Sequence, residues 1–209
     1  MTANAKRTER ANHVLNRLQQ RYPAPESALA WNSAWELLVT TVLAAQCTDV
    51  RVNQVSPAFF SRWPDTAALA QASQQDVEEV IRSTGFYRNK AKNLIAAATI
   101  IQDQHQGQVP RSMSGLTNLP GVARKTANIV LSNAFGINEG LAVDTHVKRI
   151  SFRLELTDST DPKRIEQDLM PLFPQESWGQ VNHMLVLFGR EVCLARTPRC
   201  SGCELSDLC

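Results

Sequence analysis

"LPGVARKTANIV", residues 119–130, decides how the rest of the chain is read. Pro120 cannot continue a helix from within, and Gly121 opens backbone angles closed to other residues, so the first half is a turn. The second half begins a helix, because Ala127, Val130 and Leu131 recur at apolar helical spacing. Leu116 and Leu119 give the segment before the turn an apolar face of its own. A tight turn between two helices leaves the amides of the turn and of the second helix's first turn pointing outward. Such amides suit an anion, and nucleic-acid phosphate is the natural one. Lys125 sits in that first turn, where the helix dipole opposes positive charge. Two readings of it stand. One is a surface lysine reaching solvent or a phosphate. The other is a nucleophile, since amines attack carbon only when unprotonated and a helix N-terminus disfavours the ammonium form.

Working outward, helix start and stop signals cover nearly the whole chain. Val14, Leu15, Leu18 and Tyr22 share a face that Pro23 closes. Ser33 and Glu36 form a capping box ahead of "LLVTTVLAAQ". Thr48 or Asp49, Asp65, Ser73 and Asp161 are further caps, the last followed by Pro162 at the first helical position. "KAKNLIAAATIIQDQH" reads as a long helix stopped near Gly107. "RISFRLEL" alternates like a strand, yet Val143, Val147, Ile150 and Leu154 continue a helical face across it. The fold class is all-α. Linkers are expected around Pro23–Pro25 and at "GINEG", residues 136–140.

The 209 residues suffice for one large or two small domains. A formal charge of +2 is far from that of a histone-like protein, so any electrostatic footprint for nucleic acid must be local. "MTANAKRTER" lacks the apolar core of a secretory signal, and "WELLVTTVLAAQC" is too short to span a bilayer. A soluble cytoplasmic protein is expected.

Four of the five cysteines, Cys193, Cys200, Cys203 and Cys209, fall in "CLARTPRCSGCELSDLC" at the end of the chain. Thiols gathered so tightly outside an oxidising compartment are better placed to close around a metal than to form disulfides. Zinc sites usually show two short cysteine pairs, and here only Cys200 and Cys203 are close, which suits an iron–sulfur cluster; spacing leaves both open. The loop between Cys193 and Cys200 carries Arg196 and Arg199, either solvated or aimed at phosphates. Cys47 stands alone and reads as a small buried hydrophobe near a helix end.

The hairpin "LPGVARKTA", then "AVDTHVKR", then a Cys-x6-Cys-x2-Cys-x5-Cys terminus resemble the endonuclease III family of DNA glycosylases, of the helix-hairpin-helix superfamily. "LLVTTVLAAQCTDVRVN", "STGFYRNKA" and "FGREVCLARTPRCSGC" are similar to family segments in the right order, from about residue 10 onward. The resemblance implies two helical domains flanking a DNA-binding cleft. One is a six-helix barrel over residues 26–138 with the hairpin. The other, residues 1–25 plus 139–209, holds a [4Fe-4S] cluster on Cys193, Cys200, Cys203 and Cys209. It implies that Lys125 is the nucleophile and Asp144 the catalytic carboxylate, the latter also a good helix cap. Gln46 matches the residue that fills the gap left by an extruded nucleotide, and Phe86 an intercalating side chain. Read from the residues alone, these two are a helix-end polar group and a core aromatic.

Gly121, Ala123, Arg124, Arg196 and Arg199 are the expected phosphate contacts; Ala123 stands where the family usually has glycine. His146 is expected to pack or cap. The implied activity is a bifunctional glycosylase and abasic-site lyase of base excision repair, acting as a monomer on double-stranded DNA with oxidised pyrimidines or abasic sites. Its rivals are the related mismatch adenine glycosylases, which lack a lysine at the position of Lys125, and a non-catalytic DNA-binding module.

Overall fold

The computed structural model describes residues 3–209, and among them every regular element is helical. The chain divides into two compact units, one made of the chain up to Glu26 together with Asn138–Cys209, the other of Ser27–Ile137. The first unit opens with α1 (Ala3–Arg21). The second contains α2 (Ala34–Leu43), α3 (Asp49–Arg62), α4 (Thr66–Ala70), α5 (Gln74–Ile81), α6 (Tyr87–His105), α7 (Met113–Thr117) and α8 (Arg124–Phe135). The first then resumes with α9 (Thr145–Arg153), α10 (Pro162–Leu169) and α11 (Trp178–Glu191), followed by two short 3-10 turns among the last cysteines. Among the described residues, no helix is long and apolar enough to cross a membrane.

Local chemistry sets most helix starts. Ser33, Thr48, Asp65, Ser73, Ser112, Asp144 and Asp161 each accept a hydrogen bond from a backbone amide two or three residues on. The capping box at Ser33 is altered. Glu36 Oε2 accepts from the backbone N–H of Asn32 at 2.7 Å, and from its side chain, so the carboxylate reaches one residue beyond the usual partner. α6 ends at His105; its C-cap Gln106 is left-handed at φ 53°, with Gly107 N–H bonding back to Ile101 O at 3.1 Å. α9 stops at Arg153; Leu154 is its buried C-cap, and Glu155 turns the chain at φ 51°.

Each unit has its own core. In the Ser27–Ile137 unit, Ala91, Leu94, Ala97, Ala98 and Ile101 of α6 lie inside a cluster with Leu37, Leu43, Phe59, Leu69 and Leu116. Ala127, Val130 and Leu131 of α8 join it with no exposed surface. Burying a side chain of leucine or valine size stabilises by about 1.5–3 kcal/mol, so this face fixes the outward direction of Lys125. In the other unit Val14 and Leu18 of α1, Val147 and Ile150 of α9, and Leu185 and Phe188 of α11 share a second cluster. α9 and α11 approach closely at Gly189, where a Cβ would lie 2.5 Å from His146 Nδ1 and 2.9 Å from Arg149 Nη2. Only glycine admits that approach.

Candidate functional site

The turn ahead of α8 is tight because Gly121 adopts φ 80° and Asn93 of α6 packs 3.0 Å from where a Cβ would stand. Ala123 is the N-cap residue, at φ −85° and ψ 166°, an extended conformation that alanine adopts without strain. The methyl group therefore does not distort the hairpin. It does leave α8 without a side-chain cap, so no side chain of the cap residue occupies the amides of its first turn. Ala123, Arg124 and Lys125 are all exposed. A first turn with uncapped donors and two cations is poor for an isolated helix and suited to an anion.

Asp144 does the opposite at α9. Its Oδ1 accepts from both His146 N and Val147 N at 2.8 Å, and its side chain is half-buried. One oxygen thus holds the helix, leaving Oδ2 outside that cap. His146 packs against α11 and its Nδ1 lies 3.1 Å from Arg149 Nη2. Burial pushes its pKa below the ordinary value, with Asp144 working the other way, so the ring is held toward neutrality.

Gln46 and Phe86 are exposed, both in the Ser27–Ile137 unit, and both left-handed, at φ 54° and 48°. Left-handed backbone is costly for such residues and persists where the surroundings enforce it. Phe86 is 62 % exposed, so the core-aromatic alternative fails: the preceding Gly85, at φ 70°, swings it out of the helical face. Cys47 is half-buried against the core of that unit rather than fully buried.

The four C-terminal cysteines are free thiols around one cavity of about 230 Å³. Its walls include Ile150, Leu154, Phe188 and Leu205, and Arg153 Nη1 donates to Cys193 Sγ at 3.2 Å. Burial raises the pKa of the Cys203 and Cys209 thiols, and the neighbouring cysteines push the same way, so positive charge such as that of Arg153 beside Cys209 favours the thiolates. Among the described residues, no three His, Cys, Asp or Glu close on a single-ion site. The thiols border a shared space instead, and an all-sulfur donor set fits soft iron–sulfur chemistry.

The loop after Cys193 is pinned by residues the sequence did not reveal. Arg149 donates to Cys193 O at 2.9 Å and to Gly189 O at 3.0 Å, and Arg153 to Leu194 O at 2.8 Å and Ala195 O at 2.9 Å. Their spacing of four places both on one face of α9, the only sequence hint of a shared task. Arg199 N–H donates to Val192 O at 2.9 Å, while Arg196 and Arg199 present exposed side chains.

Residues 39–175 match the model of the HhH-GPD superfamily of base excision DNA repair proteins. A curated Endonuclease III from Synechocystis is 52 % identical over 205 residues, 98 % of this chain and 94 % of that one. The chain belongs to the endonuclease III family of that superfamily. Two solved structures, a non-covalent Endonuclease III–DNA complex and a trapped Endonuclease III–DNA covalent intermediate, match with a TM-score of 0.92 at 37 % identity. Each match covers 100 % of this chain and 96 % of the other.

Proposed function

We propose that the protein is a DNA glycosylase with abasic-site lyase activity that removes oxidised pyrimidines such as thymine glycol. The observation that carries it is the N-terminus of α8, where an exposed lysine follows a Gly121 turn and a helix start without a side-chain cap. Membership of the endonuclease III family supports the activity and the DNA partner, as does the covalent DNA intermediate recorded for a similar protein.

The chemistry runs from the residues. A damaged base is out of reach inside a duplex, so the nucleotide is extruded, with Phe86 wedged into the stack and Gln46 filling the gap. Departure of the base builds positive charge on the sugar, which the Asp144 carboxylate stabilises while its Oδ1 stays on the α9 amides. The Lys125 amine bonds to the anomeric carbon as the base leaves with the bonding electron pair. Ring opening then gives an iminium, and loss of the 2′ proton expels the 3′ phosphate. The strand is nicked on that side. Phosphates flanking the site rest on the turn at Gly121, on the first-turn amides after Ala123, and against Arg124, Arg196 and Arg199.

Cys193, Cys200, Cys203 and Cys209 hold a [4Fe-4S] cluster in the cavity they line, supported by the four thiols and the Arg153 donor. The cluster serves as a structural staple for the loop. Purified protein is expected to be brown with about four irons per chain, and Cys200→Ser to lower soluble yield before it alters chemistry. Colourless, fully active protein with stoichiometric zinc contradicts this.

Single-turnover incubation with duplexes carrying thymine glycol, an adenine mismatch or an abasic site tests the function. Release of thymine glycol followed by strand cleavage is expected. Binding without cleavage would make the protein a recognition module, and adenine release would make it a mismatch enzyme.

A further inference from the structure

Lys90 is 6 % exposed, and nothing in the chemistry above uses it. Its Nζ donates to Leu43 O at 2.7 Å and to Thr84 O at 2.9 Å. Leu43 ends α2, three residues before Gln46; Thr84 ends the 3-10 turn after α5, two residues before Phe86. Lys90 N–H also donates to Phe86 O at 3.1 Å, as part of the first turn of α6. One side chain therefore joins the two turns that carry the left-handed, exposed Gln46 and Phe86.

A buried ammonium is costly unless fully hydrogen-bonded, and an apolar side chain of similar length would avoid that cost. What the ammonium adds is directional. Both acceptors are last-turn carbonyls, which lack intrahelical donors and lie at the negative ends of their helices, where a cation is favoured. Burial pushes the Lys90 pKa down, with nearby Cys47 acting the other way. The bonds thus oppose a real desolvation cost.

We propose that Lys90 is a positioning residue for nucleotide extrusion, locking the Gln46 and Phe86 turns together so that both side chains enter a duplex as one preorganised wedge. A wedge whose two parts moved independently would pay the ordering cost at each insertion, and a locked one pays little. The inference rests on the glycosylase function proposed above.

The test follows extrusion with 2-aminopurine opposite thymine glycol, which brightens as stacking is lost, in the full-length protein. The end-point yield of borohydride trapping on a pre-formed abasic site counts competent molecules and corrects for misfolded protein, and the trapping rate of those molecules is read separately. Lys90→Met is expected to slow extrusion about tenfold or more, the usual weight of hydrogen bonds to a charged group, while abasic-site trapping per competent molecule stays near wild type. Lys90→Arg, which keeps the cation, is expected to restore most of the rate. In a Gln46→Ala/Phe86→Ala background, Lys90→Met should add little.

An extrusion rate unchanged by Lys90→Met, equal slowing of extrusion and trapping, or full additivity in the cycle overturns the proposal. If Lys90→Met gives no soluble protein, Lys90→Gln replaces it in the same cycle with the same expectations. Gln46→Ala and Phe86→Ala that both extrude at the wild-type rate would remove the wedge assignment itself. Slowing by those two with none by Lys90→Met would remove only the role of Lys90.

Discussion

Two helix N-termini in this protein are built on opposite terms. α9 begins with Asp144, an anionic cap that satisfies two amides and suits the helix dipole. α8 begins with Ala123, has no side-chain cap, and places Arg124 and Lys125 where the dipole repels them. Seven other starts, α9 among them, carry a Ser, Thr or Asp cap, while α6 and α11 share with α8 a start without a side-chain cap. The difference teaches where stability was given up. On the function proposed above, the α8 amides and Lys125 serve a ligand, and at α9 one carboxylate oxygen holds the helix while the other serves the chemistry.

Changes at Asp144 should have the largest effect on that comparison. Asn caps about as well as Asp, so Asp144→Asn should leave the melting temperature nearly unchanged. It should nonetheless slow thymine glycol release on the order of 10²–10³-fold, because the charge facing the sugar is gone. Asp144→Ala should lose the same activity and also about 1–2 kcal/mol of stability. Denaturant unfolding beside single-turnover kinetics separates the two roles. Equal stability loss in both variants would mean that charge, not the cap, holds α9.

Capping α8 should move stability and binding in opposite directions. Ala123→Ser offers a hydroxyl to the first-turn amides and should stabilise the fold by about 1 kcal/mol. The same hydroxyl competes with phosphate, so affinity for an abasic duplex should fall about tenfold. If affinity is unchanged while stability rises, phosphate does not use those amides.

These expectations also mark what the sequence could reveal. Ser33, Thr48, Asp65, Ser73 and Asp161 were legible as caps because each acts within three residues of itself. The buried stripe of α8 was legible because helical periodicity reports burial directly. Long-range devices were not. Arg149 and Arg153 hold backbone some forty residues away, and nothing near them in sequence says so. Nothing in the sequence around Lys90 marks it out, because its acceptors, Leu43 O and Thr84 O, are brought to it only by the fold. Phe86 read equally well as core, since its exposure depends on a left-handed backbone that composition does not encode.

A smaller effect is expected at the basic loop. Arg196→Ala should weaken binding to damaged and undamaged duplexes alike, with a salt dependence shallower by about one unit of slope. Binding measured from low to moderate salt checks this. A changed lesion preference at constant slope would make Arg196 a base contact rather than a phosphate contact.

Borohydride trapping tests the central claim most directly, because reduction fixes a protein–DNA Schiff base as a stable amine. Wild-type protein should give a covalent adduct with both thymine glycol and pre-formed abasic duplexes. Asp144→Asn should still be trapped slowly on the abasic duplex, where no base must leave. Lys125→Ala should give no adduct with either, while binding both duplexes and unfolding at no lower temperature than wild type. An adduct formed by Lys125→Ala at near the wild-type rate would contradict the account and leave Lys125 as a phosphate contact only.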